Sequence, residues 1–299
     1  MKDYHIITTE AENVNIEENL QDIRAIKENN SIFLLYLLRD GRLISCSEKV
    51  LRVYDNKNFY HCTVCICEDS CCYSICELSD GSIVTGMYER IKIWKIYKDS
   101  YQCLFELYEE ENEKIAKVCE LSEDRIVSLS QKIIIVWDIK EKKAIKKIKG
   151  ETNKNFYSML YIKEKNVILV TTEKELKKYN MSTYQLICQI NQIPNKIYNL
   201  LQIDDNSVLM GGYSQLCIAN FDSGTYSVAI NANISSFIKL RDNTTILCGC
   251  DGYFLILDLK NKTYIHKKAK YENSILSMVI IDESTFASAS GDTILFWKY

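Results

Sequence analysis

The chain has 299 residues, 47% of them hydrophobic, and a formal net charge of −3. A chain of this length can bury about 75% of the surface its unfolded form exposes, and its near-balanced charge supplies no global field for nucleic acid or an acidic membrane. No apolar run approaches the roughly 18 residues of a spanning helix, and residues 1–10 carry Lys, Asp, His and Glu, so neither a membrane span nor a secretory leader is expected.

In chain order, residues 3–7 (DYHII) read as a short strand, similar to TYIH at 263–266. Residues 9–31 follow as a long connection. Within it Ile16, Leu20, Ile23 and Ile26 recur at helical spacing between charged residues, which predicts a short amphipathic helix. It would be a cap on the protein or a partner-docking arm. From residue 42 a fourteen-residue pattern then recurs seven times without a gap: RLISCSEKVLRVYD (42–55), SIVTGMYERIKIWK (82–95), RIVSLSQKIIIVWD (125–138), VILVTTEKELKKYN (167–180), SVLMGGYSQLCIAN (207–220), TILCGCDGYFLILD (245–258) and TFASASGDTILFWK (285–298). Each is an apolar strand, a polar turn and a second apolar strand. The penultimate column holds Tyr54, Trp94, Trp137, Tyr179, Ala219, Leu257 and Trp297, in steps of 40, 43, 42, 40, 38 and 40 residues. All three Trp residues of the chain fall in it. A period near 40 residues outranks any local reading.

Upstream of most copies lies another apolar run closed by a turn such as Asp40-Gly41, Asp80-Gly81 or Asp204-Asp205-Asn206, the chemistry of a hairpin. Downstream comes a fourth run, often opened by Tyr (Tyr60, Tyr101, Tyr184, Tyr226, Tyr264). One unit is therefore four antiparallel strands, a to d. Seven such units use up residues 1–299 as one domain. The last unit ends after strand c, and residues 3–7 are expected to supply its missing strand d.

These repeats resemble the WD-repeat family, whose repeats are blades of a β-propeller. The resemblance covers almost the whole chain and implies an all-β, seven-bladed β-propeller. Departures are plain: His5, His61 and His266 are the only His residues, and none follows Gly where the family has Gly-His between strands d and a. The family's buried Asp-His-Ser-Trp network is expected to be mostly absent, leaving apolar packing to hold the blades.

In such a blade the b–c turn and the d–a connection emerge on one face. Three of the seven b–c turns carry a Tyr that a solvated turn does not require, and Tyr and Arg are favoured at interface hot spots. Tyr88, Arg90, Tyr213 and Tyr253, with Lys132 and Lys174, are the candidate contact residues for protein or peptide partners; surface Tyr in a Tyr-rich chain is the plainer account of the same residues.

Catalysis finds little support. The third column of strand a (Leu34, Ser74, Lys117, Ser158, Asn199, Ser236, Ser277) suits a narrow wet channel but contains no His to pair with Ser. Glu77 and Glu120 occupy matching columns, either as an acid–base pair or as ordinary polar positions. No Gly-rich phosphate loop is present. Thirteen Cys is an odd number scattered through apparent strands, which fits free thiols in a reducing compartment, the cytoplasm or nucleus. Cys62 and Cys76 share columns with Cys103 and Cys119. Cys65, Cys67, Cys71 and Cys72 are left over, either as a zinc site or as unliganded thiols, and no second Cys-x-x-Cys stands at a zinc-ribbon distance. No metal or cofactor is expected. Residues 140–149 (KEKKAIKKIK) fall on strand d of the third unit, where Lys on a sheet edge discourages aggregation; phosphate binding to nucleic acid or phosphoinositide is the alternative. The reading reached is a non-catalytic scaffold. A propeller enzyme working at its channel mouth, or a phosphate binder, stands as the alternative.

Overall fold

The computed structural model describes residues 9–10, 20–57, 59, 61–109, 113–151, 154–194, 196–269 and 271–299. Its fold class is all-β, a seven-bladed β-propeller in strand content: seven sheets, each with four antiparallel strands. The one helical turn among the described residues is the 3-10 turn Lys163–Lys165.

The chain divides into two compact units. Tyr36–Lys196 carries blades 1 to 4, strand a of blade 1 beginning just before it. Blade 1 is Ile32–Leu37, Leu43–Ser47, Val50–Tyr54 and Cys62–Cys67, and blade 2 is Ser74–Glu77, Ile83–Gly86, Arg90–Ile96 and Tyr101–Tyr108. Blade 3 is Lys117–Ser122, Arg125–Leu129, Ile133–Asp138 and Lys143–Lys149; blade 4 is Ser158–Ile162, Val167–Thr171, Glu175–Asn180 and Leu186–Asn191. The other unit, Met1–Leu35 with Ile197–Tyr299, carries the rest. Blade 5 is Ile197–Gln202, Ser207–Gly212, Leu216–Asn220 and Thr225–Ile230; blade 6 is Ser236–Lys239, Thr245–Gly249, Tyr253–Asp258 and Thr263–Lys268. Blade 7 is Ser277–Ile280, Thr285–Ser290 and Thr293–Lys298, and its fourth strand is Gln21–Lys27.

Strand b is buried over most of its length in every blade, and strand c of blade 3 likewise, whereas strand c of blades 1, 2 and 4 alternates buried positions with partly exposed Arg or Lys. Blades 2 and 3 share one core through Ile91, Ile93, Ile115, Ile133, Ile135 and Trp137. Blades 6 and 7 share another through Phe254, Phe286 and Trp297, with Phe254 edge-on to both rings. The a–b turns follow their residue chemistry. Asp40, Asp80, Asp204, Asp242 and Asp282 each accept, through Oδ1, the amide N–H two residues on, at 2.8–3.0 Å. Gly41 and Gly81 take φ of +84° and +78°, where a Cβ would be strained.

An N-terminal strand does complete the last blade, but it is not the segment the sequence singled out. Residues 3–7 lie outside the described residues. Gln21–Lys27 pairs antiparallel with Thr293–Lys298 instead, so the helix expected within 9–31 is a strand at this point. The cause of the misreading is a β-bulge. Asp22 faces Trp297 and Arg24 faces Phe296, leaving Ile23 as an extra residue. The inserted residue breaks the period of two and gives Leu20, Ile23 and Ile26 their helix-like spacing.

The same bulge recurs in strand d of blades 1 to 4, where Thr63, Leu104, Ile145 and Ile187 are the extra residues. In all five cases it abuts the partner of an aromatic in the penultimate column: Tyr54, Trp94, Trp137, Tyr179 or Trp297. Blades 5 and 6 have Ala219 and Leu257 there, and no bulge at that place. The bulge also explains four exposed large hydrophobics, Ile23, Leu104, Ile145 and Ile187, which it turns outward.

The Trp column is not held by packing alone. Trp94, Trp137 and Trp297 donate their indole N–H to Thr85, Ser128 and Ser288, each nine residues earlier, at 2.7–2.9 Å. In blade 7 Tyr271 stands in for the missing His: its hydroxyl lies 3.0 Å from Ser288 Oγ and donates to the Ser288 carbonyl at 2.7 Å. The Ser/Thr–Trp part of the network therefore survives in blades 2, 3 and 7. Where the column is Leu257, the position nine residues earlier is the buried thiol of Cys248.

Candidate functional site

In every blade the b–c turn is hydrogen-bonded to the connection leaving strand d. Lys49 O accepts from Glu68 N, Met87 O from Ile115 N, Gln131 O from Phe156 N and Lys174 O from Ile193 N. In the other unit Gly212 O accepts from Ile234 N, Cys250 O from Ile275 N and Gly291 O from Ile32 N. The donors from Ile115, Phe156, Ile193, Ile234, Ile275 and Ile32 are residues with almost no exposed surface. In blades 2 to 7 one apolar anchor thus seats the connection while its N–H tethers the turn; in blade 1 the donor is Glu68. This explains how a turn without the family's His keeps its shape, and it puts b–c turns and d–a connections on the same edge of each blade.

The six candidate residues separate on that edge. Tyr88 is 46% exposed, and its turn forms a bridge to Lys114. Lys174 is exposed. Tyr213 is 62% exposed, with its ring edge-on to Tyr198 at 5.3 Å. The other three are engaged. Arg90 is bonded to the Asp69 carboxylate, which is held below its ordinary value mainly by that hydrogen bond. Lys132 donates to Asn155, and Tyr253 is half-buried, packed against His266 at 5.2 Å. Burial chiefly pushes the Tyr253 hydroxyl up to about 12.

Tyr108, 63% exposed, escaped the sequence reading. It lies opposite Arg90 at the end of strand d and donates to Glu106 at 2.6 Å. Burial alone would raise the Glu106 carboxyl, but Tyr108 and Lys92 hold it below its ordinary value. Lys92 bridges Glu106 at 3.3 Å and Glu68 at 2.7 Å. Its only signal in sequence was a Tyr closing an eight-residue strand d. In blade 4 a second network joins the edge: Lys154 pairs with Glu151 at 2.6 Å and Glu175 at 2.7 Å, while Lys177, nearly buried, pairs with Glu175 at 3.1 Å and with Glu151.

The residues weighed for catalysis are accounted for by contacts between blades. Glu77 Oε2 accepts the Arg39 N–H at 2.8 Å, and Glu120 Oε1 accepts the Ser79 N–H at 2.7 Å. Each carboxylate thus caps the a–b turn of the preceding blade. Ser74 and Ser236, expected to line a wet channel, are buried and donate to the carbonyls of Ile115 and Ile275, at 3.3 and 2.9 Å. A cleft of about 500 Å³ lined by Asp40, Arg42, Asn56, His61 and Tyr97 lies among the a–b and c–d turns, at the other end of the blades. Arg42 spans it, donating to Asp40 and to the carbonyls of Ile96 and Tyr97.

Cys65 and Cys67 lie in strand d of blade 1 and Cys71 and Cys72 in the connection that follows it, and none of the thirteen cysteines is in a disulfide. No group of three or more potential ligands that could hold a metal occurs among the described residues. Lys143–Lys149 is strand d of blade 3, as expected, and Lys142 lies over the Phe105 ring at 4.8 Å. No helix among the described residues is long and apolar enough to cross a membrane.

No family model matches the chain. A curated relative, WD repeat-containing protein 55 homolog of Dictyostelium discoideum, is 26% identical over 141 residues, a match covering 46% of this chain. The chain spans only about a third (35%) of that relative's length. Seven blades in register with the repeat, together with this partial likeness, support a WD-repeat family for the chain.

Proposed function

We propose that the chain is a non-catalytic scaffold that binds protein or peptide partners through the edge formed by its b–c turns and d–a connections. The observation that carries this reading is the tethering of that edge. Every turn is fixed by a backbone hydrogen bond, and in six of the seven blades the donor is a buried apolar anchor, so binding need not first order the receptor. Exposed Tyr88 and Tyr108 in one unit, and Tyr213 in the other, are large rigid contacts on a fixed frame. Arg90, Lys132 and Tyr253 serve chiefly to hold the edge, with Lys174 at its rim. The bonds of Glu77 and Glu120 to backbone N–H groups of turns support a structural role for both over the acid–base pair that an enzyme reading would use. The free thiols favour a reducing compartment, and we place the chain in the cytoplasm or nucleus.

The test is affinity purification of tagged protein, wild type against a Tyr88→Ala, Tyr108→Ala, Tyr213→Ala triple variant. Loss of most specific partners, with the melting curve unchanged, is expected. An identical partner list would refute the assignment of this edge.

A further inference from the structure

Residues 140–149 hold six Lys in a chain of net charge −3. Four of them lie in strand d of blade 3, Lys143–Lys149, and all six are exposed. Against them stand two carboxylates on the same stretch of chain, Asp138 and Glu141, a surplus of four positive charges. The contact of Glu141 with Lys143, at 3.8 Å between mostly exposed side chains, neutralises little in water. Protection of a sheet edge is the plain account of Lys on strand d, but the other blades do not use it. Their strand d carries no Lys in blades 1, 2, 4 and 5 and one in blade 7. Blade 6 has two, Lys267 and Lys268, on an edge left straight, with Thr9–Glu10 beside its start. The concentration in blade 3 exceeds what keeping edges apart asks of this chain. The bulge adds a second feature. It makes Ile145 the extra residue of the strand and leaves it 38% exposed, an aliphatic side chain in the middle of the basic strip. The bulged residues of blades 2 and 4, Leu104 and Ile187, stand in strands without Lys.

We infer that the outer edge of blade 3 docks on an anionic lipid surface, with its Lys ammonium groups at the headgroups and Ile145 entering the acyl boundary. A cluster of roughly four to eight cationic side chains is the size that an anionic leaflet holds. Long Lys stems lie along apolar surface while their charged ends reach the phosphates, so the strip and its one exposed aliphatic can be engaged together. Single-stranded nucleic acid fits less well, because its bases need aromatic faces on which to stack. Phe105, the ring beside the run, is covered by Lys142 at 4.8 Å. At physiological salt a charge is felt over only about 8 Å. The net negative charge of the chain therefore does not prevent this contact, but it makes the contact specific to one orientation and sensitive to salt. The site does not depend on the loop edge proposed above.

The test is flotation of the full chain with vesicles of phosphatidylcholine alone and of phosphatidylcholine with added phosphatidylserine. Binding is expected only to the serine-containing vesicles, and high salt should release it. Lys143→Gln/Lys146→Gln should weaken it about 30-fold and Ile145→Ser several-fold, with melting curves unchanged. Lys267→Gln/Lys268→Gln should leave it as in wild type. The inference is overturned if the phosphatidylserine vesicles do not bind, if phosphatidylcholine alone binds equally, or if the blade 6 variant loses as much as the blade 3 variant. Unchanged binding by Ile145→Ser would overturn the docking on a bilayer, since soluble phosphates and nucleic acid do not need that side chain. A single-stranded oligonucleotide that binds the wild type more tightly than the vesicles do would overturn it as well. Aggregation of Lys143→Gln/Lys146→Gln with vesicle binding retained would return the run to edge protection.

Discussion

The tether at Ile115 can be tested by Ile115→Ala. The side chain is fully buried among Ile91, Ile93, Ile133 and Trp137, its N–H holds Met87 O at 2.8 Å, and its carbonyl accepts Ser74 Oγ. Truncation removes roughly three methylene equivalents at ~0.8 kcal/mol each, about 2.4 kcal/mol in transfer terms. The backbone bonds on both sides hold the site open, so a cavity term brings the loss to about 3–5 kcal/mol. For a chain of this length that is a fall in melting temperature of roughly 5–8 °C. Ile115→Val should cost only about 1 kcal/mol. Urea denaturation with unchanged m-values is the assay. Partner binding through neighbouring Tyr88 should weaken in Ile115→Ala as the turn loosens. A cost below about 1 kcal/mol for the Ala variant would mean the connection is not seated by this side chain, and the rigid-edge argument would fail with it.

Ser128→Val should leave the Trp137 indole N–H buried without its acceptor, at a cost of about 1–3 kcal/mol. Combining it with Trp137→Leu should cost less than the two changes summed, a coupling that a double-mutant cycle of urea midpoints measures. Acid should act through blade 4. Hydrogen bonds from Lys154 and then Lys177 hold Glu151 down to about 2, and Glu175 is lowered by the same lysines against the opposing effect of burial. The folded form therefore releases these protons more readily than the unfolded chain. Their stabilisation is complete above the ordinary value of 4.5 and is lost as pH falls toward about 2. Urea midpoints of Lys177→Met should show a flatter acid limb than wild type; parallel limbs would count against the network. A thiol reagent at pH 8 should label Cys62, Cys65, Cys67 and Cys103 in the native protein. Buried Cys217 and Cys250, both pushed up to about 12 with burial as the main cause, should label only after unfolding, which peptide mass mapping would show.

Of the candidate site, the turns were legible and the availability of their side chains was not. A Tyr or Lys in a b–c turn is visible as a turn residue, and Tyr88, Lys174 and Tyr213 do stand out in solvent. That Arg90 is tied to Asp69 and Lys132 to Asn155 depends on connections from neighbouring strands folding back over the turn. Nothing in the turn's own residues records it. Tyr108 was missed for the converse reason, since alternation along strand d does not say where the strand outruns its cover.

The repeat was written in the chain itself. Seven copies of one pattern, the Trp column with Ser or Thr nine residues before it, and Asp at the a–b turns follow from local chemistry that each unit must satisfy alone. These determined the number of blades and the order of their strands. Which N-terminal segment completes blade 7 was decided only by tertiary pairing, because Gln21–Lys27 meets a strand more than 260 residues away and hides its period behind the Ile23 bulge. The edge left straight was decided likewise. Leu257 instead of Trp is one residue in the sequence, but its consequence, an unbulged strand able to take Thr9–Glu10, exists only once the two strands are side by side.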